Sequence, residues 1–287
     1  MKFSMGWFAF AILSTFIFQS IPRPLLADEI TWLITDWRPY QYYEKGEYKG
    51  YGIEWQKIIQ KELPEYQHKI KVVNFARMNT SFQEKMKVCA LGLYKSAKRD
   101  SIVYYSIPDA LWLSIRLFMR KETHQELGSP SKLSFKSIVK NKNRSLGLVK
   151  GRAYNSTLRK IIDEHQGQKN INTYSHSDTG KGMMAMLIAK RFDYHLEFLI
   201  EGKYAAMQVG DKDAVTSVAL EELPLSINGV TACSKNEWGI KAIEAINRAL
   251  LKVIPTEAYR RIFEKWLDPN LIPEYRKDYD AVFLKAK

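Results

Sequence analysis

Between Cys89 and Asp109 the chain reads "CALGLYKSAKRDSIVYYSIPD". A strand-like run of small and apolar residues passes Gly92 and breaks into Lys95, Ser96, Lys98 and Arg99. It then returns through Tyr104 and Tyr105 to Ser-Ile-Pro. A hydroxyl and a guanidinium are thus presented within four residues beyond an apolar strand. A guanidinium is a planar fork that binds a carboxylate bidentately and stays charged. Arg99 is therefore either a solvated charge at a helix start or an anchor for an anionic group. Gly92 would let another group approach the backbone closely.

Other chemistries lack their residues. No G-x-x-x-x-G-K-[ST] loop is present, because "SDTGKG" has neither the first glycine nor the final hydroxyl. There is no G-x-S-x-G elbow and no H-E-x-x-H. His68, His124, His165, His176 and His195 never pair at metal-ligand spacing. "GYG" at Gly50–Gly52 lacks the third glycine of a dinucleotide fingerprint. No cofactor and no metal are expected.

The elements that would carry Arg99 form a regular series. Asp28–Thr35 reads as a strand, followed by a loop rich in aromatic residues. Ile53–Leu63 bears a helical stripe of Trp55, Ile58, Ile59 and Leu63, stopped by Pro64. His68–Phe75 is a second strand. Thr80–Gln83 fits a capping box opening a helix with Phe82 and Met86 on one face. Val88–Leu93 is a third strand, and Leu111–Met119 ("LWLSIRLFM") reads as one more. "KETHQELGSPSK" is a polar linker. Beyond it "RSLGLVKG", "INTYSH" and "FDYHLEFLI" read as strands alternating with helices in "AYNSTLRKIIDEH" and "DTGKGMMAMLIAKR". Leu225–Lys235 is a late strand, and Gly239–Val253 and Glu257–Trp266 are amphipathic helices. The pattern is α/β, with two lobes each built on a mainly parallel sheet. The late strand has no sheet of its own and is expected to return to the first lobe. The expected division is residues 28–113 for the first part of lobe 1, 114–224 for lobe 2, and 225–287 for the return. Two strands crossing between lobes make a hinge and a cleft.

Composition bounds the class. The chain has 287 residues, 46% hydrophobic and 26% charged, which is ordinary globular material. Lys2, the apolar run Trp7–Phe18 and "QSIPRPLLA" read as a secretory signal cleaved after Ala27, with Leu25 an unusual residue at the −3 position. The protein is therefore expected to be exported to the periplasm and soluble. Its net charge of +13 becomes +11 once Lys2 and Arg23 leave with residues 1–27, which carry no acid. Lys and Arg are spread along the chain and interleaved with acids, except at "KSIVKNKNR". That distribution and export argue against nucleic acid as a partner and favour anionic ligands. Cys89 and Cys233 are an even pair in an exported chain. Either they form a disulfide, which the shared lobe would allow, or they are two buried thiols.

Several segments together resemble a known family, the periplasmic solute-binding proteins of ABC transporters in the polar amino-acid group (family 3 type). "RPYQYYEKGEYKGYGIEW" is similar to the family's P-P-F … G-x-x-x-G-F-D-x-D-L opening. "KSAKRDSIVYYSIP" resembles T-x-x-R-x-x-x-x-x-F-S-x-P. "SLGLVKGRAYNSTL" resembles V-G-V-x-x-G-[ST]-x, "MLIAKRFDY" resembles A-L-x-x-G-R-x-D-A, and "IFEKWL" resembles the terminal Y-x-K-W-F helix. The match spans nearly the whole exported chain. More narrowly it resembles an exported subgroup with a C-A-x-G strand and an A-C-S-K segment.

The resemblance implies a two-lobed type II periplasmic-binding fold and a receptor that closes on a small polar or anionic ligand, an amino acid or carboxylate. It implies delivery to an ABC permease or a membrane sensor, by a monomer. Arg99 takes the place of the arginine that holds the ligand's carboxylate. Gly92, Tyr94 and Ser96 fall where backbone and side-chain groups face the ligand, and Trp37 and Tyr40 where aromatic residues cover it. Arg152 and Tyr154 lie in the lobe-2 turn, Arg152 standing where a Ser or Thr is usual and expected, with Arg99, to hold a ligand carboxylate. The family's acid for the ligand ammonium comes five residues after the D-A aspartate. Phe198 holds that place here and Glu197 is one residue short, a shift that turns a strand side chain to the other face. Two alternatives stay open: a sensing protein without a transport role, and a dehydratase-type enzyme on the same fold, with Glu197 and Lys150 as its acid/base groups.

Overall fold

A computed structural model describes residues 28–150, 152, 154–174 and 179–285. The proposed signal segment, and parts of the expected lobe-2 strand and helix around residues 175–178, lie outside the described residues. In chain order the first elements are β1 (Asp28–Ile34), β2 (Tyr42–Glu44), β3 (Glu47–Lys49), α1 (Tyr51–Lys61), β4 (Tyr66–Val72), α2 (Phe75–Gln83), β5 (Val88–Leu93), α3 (Ala97–Asp100) and β6 (Val103–Leu113). After a short crossing come β7 (Arg116–Arg120), α4 (Lys121–Glu126), β8 (Lys132–Leu133), α5 (Phe135–Lys140), β9 (Leu146–Val149), α6 (Ser156–Glu164), β10 (Ile171–Tyr174), α7 (Thr179–Ile188), β11 (Tyr194–Glu197), α8 (Leu199–Val209) and β12 (Val215–Leu220). The chain then crosses back into β13 (Ser226–Ser234), α9 (Glu237–Val253), α10 (Glu257–Glu264) and α11 (Ile272–Tyr279).

Two sheets result. The first runs β4-β1-β5-β13-β6 and the second β10-β9-β11-β7-β12-β8, with the small hairpin β2-β3 apart. In the first sheet β4, β1 and β5 are parallel, and β13 runs antiparallel between β5 and β6. In the second, β9 is parallel to β10 and β11, and β7 is antiparallel to β11 and β12. The fold is α/β with a type II binding-protein arrangement. β5 reads as an unbroken apolar run because neighbours on both sides and helices on both faces cover it. The late strand inserts between β5 and β6, so Cys233 pairs in register with Cys89 and the two form a disulfide. The link joins central strands of one sheet across 144 residues of sequence.

The lobes meet where the chain crosses twice. The segment "LWLSIRLFM" is not one strand: β6 ends at Leu113 and β7 begins at Arg116, each in a different sheet. Ser114 N–H donates to the Leu225 carbonyl at 2.8 Å, tying the two crossings together. Both halves of the segment are apolar because both are core strands, so periodicity alone does not mark the break.

Three other expectations are corrected. The helix placed at Thr80 begins earlier, at Phe75, because the Asn74 side chain accepts from Arg77 N–H and caps it there. Thr80 and Ser81 instead donate back to the Ala76 and Arg77 carbonyls inside the helix. The polar linker contains α4, whose chain end turns back through Gly128. The stretch "FDYHLEFLI" holds strand only to Glu197, after which Leu199 opens α8. Helix α9 matches its stripe: Ala242, Ile243, Ile246, Ala249, Leu250 and Val253 are buried against the first sheet, and Asn236 caps its start by accepting from Gly239 N–H at 2.7 Å.

Candidate functional site

A small pocket of about 40 Å³, partly open to solvent, lies between the lobes, beside the crossings. Lobe 1 sends Trp37, Tyr40, Tyr51, Gly92, Tyr94 and Trp112 to it, and lobe 2 sends Phe198, Ile200 and Glu201. The lining is mostly aromatic. Tyr40 sits 5.1 Å from Tyr51 and 6.0 Å from Trp112, ring to ring, and Tyr94 sits 5.6 Å from Trp112. Such edge and tilted pairs add to the burial they bring. A wider groove of about 610 Å³ runs along the outer side of α8 past Arg116 and Lys203, sharing Leu199 and Ile200 with the cavity.

Local structure explains each position. Trp37 follows β1 and is held by a two-way backbone bridge, Trp37 N–H to Gln41 C=O at 2.8 Å and the reverse at 3.0 Å. Its ring lies 5.8 Å from Phe198 of the opposite lobe. Tyr40 is buried and donates its hydroxyl to the Leu91 carbonyl at 3.2 Å. Gly92 has φ +67°, and a Cβ there would run into the Tyr40 hydroxyl and the Trp112 ring. The close approach that Gly92 permits is thus taken up by the protein's own aromatic residues. Tyr94 follows β5, and its buried hydroxyl has no hydrogen-bond partner among the described residues.

Arg99 and Ser96 stand apart from the cavity lining. Ser96 N–H donates to the Tyr105 hydroxyl at 3.4 Å and precedes the single turn α3. The Arg99 guanidinium donates to the Tyr94 carbonyl at 3.0 Å and to Asn79 Oδ1 at 3.5 Å. It has hydrogen bonds to neutral groups and no carboxylate within ion-pair distance among the described residues. Arg99 thus braces the backbone that carries Tyr94.

On lobe 2, Arg152 and Glu197 form a bidentate pair, with N–O distances of 2.7 and 2.5 Å. Glu197 is 3% exposed and also accepts from Phe198 N–H at 2.9 Å. Burial alone would raise its pKa, but the Arg152 charge and hydrogen bonds prevail and hold it down to about 2. The guanidinium carbon lies 5.6 Å from the Trp37 ring centre and 5.7 Å from those of Tyr154 and Phe198. Tyr154 accepts from Val149 N–H at 3.4 Å. Arg152 is therefore a paired cation packed between rings, and Phe198 takes the cavity position beside it. His195 is buried next to this pair, its Nδ1 3.0 Å from the Gly147 carbonyl.

Two residues escaped sequence reasoning. Tyr51 and Glu201 meet across the lobes, the Tyr51 hydroxyl donating to Glu201 Oε1 at 2.6 Å. Glu201 is 7% exposed in the first turn of α8. Burial pushes its carboxyl up to about 7, opposed by the Tyr51 hydrogen bond and reinforced by the nearby Glu197 charge. In sequence it looks like one surface acid in a helix; only the apposed lobe makes it a buried one. Among the described residues no group of three or more His, Cys, Asp or Glu is arranged to hold a metal ion, and no helix is long and apolar enough to cross a membrane.

Comparison with known proteins agrees with this architecture. The bacterial extracellular solute-binding proteins, family 3, match residues 31–269. The L-cystine-binding protein TcyJ of Bacillus subtilis (strain 168) is 28% identical over 146 residues, which are 48% of this chain and 51% of that protein. The chain thus spans about half the length of the curated relative it matches. A Streptococcus mutans structure from work on glutathione import via GshT and the cystine ABC importer TcyBC has a TM-score of 0.67 at 15% identity, covering 84% of this chain and 95% of that one. An ancestral arginine-binding protein bound to arginine has a TM-score of 0.63 at 18% identity, covering 84% and 99%. A histidine kinase sensor domain with similarity to periplasmic binding proteins also has a TM-score of 0.63, at 16% identity, covering 84% and 96%. At these identities the structures show the fold alone.

Proposed function

The chain belongs to the bacterial extracellular solute-binding proteins of family 3, and from that premise we propose that its cleft closes on a small amino acid or carboxylate in the periplasm and presents it to an ABC permease. The observation that carries this reading is the pocket itself: aromatic rings of both lobes converge on one small space beside the two crossings. Ligand pockets are concave and mostly apolar with a few placed polar groups, which describes this lining. A space of about 40 Å³ holds a few water molecules at most. An amino acid therefore enters only when the lobes part, turning about the tied crossings at Ser114 and Leu225. Relatives named for binding cystine or arginine support the ligand class.

In this reading Arg99 and Arg152 have different duties. Arg99, which has no carboxylate within ion-pair distance among the described residues, anchors the ligand carboxylate once the cleft opens. Arg152 is committed to Glu197 and shapes the lobe-2 wall. Trp37, Tyr40 and Tyr94 cover the apolar part of the ligand, and the protein works as a monomer. A dehydratase step draws no support from the two groups considered for it. Glu197 is held ionised by Arg152, which suits a proton donor poorly, and Lys150 is exposed.

The test is a thermal-shift screen against amino acids, dicarboxylates and aromatic acids. A ligand at 100 times its Kd stabilises by about 2.7 kcal/mol, which is roughly 5–10 °C for a protein of this size. Arg99→Ala is expected to abolish the shift at the same ligand concentration. Undiminished binding by that variant would remove Arg99 from the site.

A further inference from the structure

We propose that the outer groove along α8 is a second ligand site and takes an amphipathic anion, a carboxylate carried on an alkyl or aromatic body. The inference goes beyond the solute-binding reading and stands whatever the cleft between the lobes binds.

Three features of the groove call for an anion. First, Arg116 lines it and has no carboxylate within ion-pair distance among the described residues. Its Nε donates to the Ser217 hydroxyl at 3.0 Å and its Nη2 to the Ser217 carbonyl at 3.1 Å, while Nη1 has no acceptor there. Burial disfavours the charge of this guanidinium, a cost that an arriving carboxylate relieves. Second, the acids of the lining already face lysines. Asp268 accepts from Lys203 Nζ at 2.6 and 2.5 Å, and Asp213 lies 3.8 Å from Lys121. Lys212, also in the lining, has no ion pair among the described residues. Arg116 and Lys212 are thus two unmatched cations facing no unmatched acid. Third, the buried indole N–H of Trp266, another lining residue, lacks a hydrogen-bond partner among the described residues. An indole N–H only donates, so it too needs an acceptor.

The walls call for an apolar body. The groove holds about 610 Å³, the size of a small-molecule site. Phe118 and Val215 of the second sheet, Met207 of α8 and Leu271 of the C-terminal segment line it. Met207 is 52% exposed, and its unbranched thioether can fit itself to an occupant. A small hydrophilic ion would leave these side chains wet, whereas a carboxylate on an apolar body uses both the cations and the wall. Register keeps the two cations apart. Arg116 is bonded at Ser217, while Lys212 precedes Val215, whose strand partner is Arg120 at the other end of β7. The carboxylate is therefore assigned to Arg116, the more buried cation, and Lys212 adds to the field that draws it in. The groove shares Leu199 and Ile200 with the aromatic pocket, but none of Trp37, Tyr40, Arg99, Arg152 and Glu197 lines it.

The experiment is calorimetric titration at pH 7 with acetate, hexanoate, octanoate and 3-phenylpropanoate, and with octanamide and 3-phenylpropanamide as neutral counterparts. Octanoate and 3-phenylpropanoate are expected to bind with a Kd below about 1 mM. The amides and acetate should bind at least about tenfold more weakly, and octanoate several-fold more tightly than hexanoate. Arg116→Gln should weaken octanoate at least about tenfold, in line with loss of a hydrogen bond between charged groups. Because Arg116 also holds Ser217, Met207→Glu serves as a second variant. It leaves that bond alone, sets a negative charge on the exposed wall, and should weaken octanoate as much. Circular dichroism and melting curves check that each variant folds. Trp37→Ala, which alters the aromatic pocket and not the groove, should leave octanoate binding unchanged. The inference is overturned if neither octanoate nor 3-phenylpropanoate binds below about 1 mM, if the amides or acetate bind as tightly as octanoate, or if folded Arg116→Gln or Met207→Glu keeps the wild-type affinity. Loss of octanoate binding in Trp37→Ala would place the anion in the cleft and overturn it as well.

Discussion

Asp109 and Glu197 are buried acids on core strands, one in each lobe, held in opposite states. Glu197 faces a guanidinium and stays ionised well below its ordinary range. Asp109, on β6, is completely buried with the Thr231 hydroxyl as its side-chain donor. Burial drives its pKa up to about 7, and the hydrogen bonds from Thr231 and its neighbours only moderate the rise. Depth is equal in the two cases; the partner decides the charge. The means of holding each lobe differ too. The first sheet is cross-linked by the Cys89–Cys233 disulfide between β5 and β13. The second has ion pairs at the ends of its central strands, Arg152–Glu197 and Arg120–Asp193, the latter at 2.9 Å. Lobe 1 should therefore answer to redox state and lobe 2 to charge.

The largest effect expected is on the covalent side. The disulfide closes a loop that contains the whole of the second sheet, its ends 144 positions apart in sequence. Chain-entropy arguments assign such a loop about 4–5 kcal/mol. The Cys89→Ala/Cys233→Ala protein should lose that amount in urea denaturation. Hydrogen exchange should quicken in β5, β6 and β13 more than in β7 and β11. Equal quickening across both sheets would show that the lobes open as one unit and would break the contrast.

The ionic counterpart comes next. Arg152→Ala leaves Glu197 buried without its counter-charge, a loss of about 3–5 kcal/mol. Replacing both, as Arg152→Met with Glu197→Leu, should recover most of it, because the desolvation of two charges disappears together with their attraction. If the single and double variants were equally unstable, the packing of Arg152 on Trp37, Tyr154 and Phe198 would matter more than its charge.

The contrast also has a sign in pH. Glu197 has a folded pKa of about 2 against an ordinary 4.5, so it stabilises above 4.5 and that contribution is lost as pH falls toward 2. Asp109 has about 7 against 3.8, so the folded state binds its proton more tightly. Its favourable contribution is complete below 3.8 and is lost as pH rises to 7. Asp109→Asn cannot ionise. Relative to wild type it should gain about 4 kcal/mol between pH 4 and pH 8, on the order of the linkage of a three-unit shift. Glu197→Gln should show the reverse trend between pH 2 and pH 5. Parallel trends in the two variants would remove the distinction drawn between the lobes.

How much of this was written legibly in the chain depends on the range of the forces involved. Strand β5 and helix α9 could be read because their burial is set by their own periodicity. The α/β class and the return of the late strand followed from element order. Trp37, Tyr40, Gly92 and Tyr94 came from the family resemblance, and the structure puts them around one cavity. The break at Ser114 was hidden, since apolar residues flank it on both sides for different sheets. Glu201 was hidden for a stronger reason. Its partner Tyr51 is 150 residues away in sequence, on the opposite lobe. Asp109 was likewise silent: its burial comes from β13 pairing beside β6, a strand more than 100 residues later in the chain.

The smallest effect tests what holds the lobes together. Lys203 on α8 forms a pair with Asp268 of the C-terminal segment, at 2.5 Å, but both side chains are 47% exposed. Pairs in such water-rich settings contribute about 0.2–1 kcal/mol and weaken with salt. Tyr51–Glu201 spans the same junction between buried side chains, where a hydrogen bond to a charged group is worth about 1.5–3 kcal/mol. Lys203→Ala should therefore shift the balance between open and closed lobes by less than about fivefold. Tyr51→Phe should shift it further, and further still at pH 8, where Glu201 is ionised and its lost hydrogen bond is the charged one. Small-angle scattering or a distance probe across the cleft reads both. A larger opening in Lys203→Ala than in Tyr51→Phe would place the latch on the surface and leave the buried carboxyl without a part in closure.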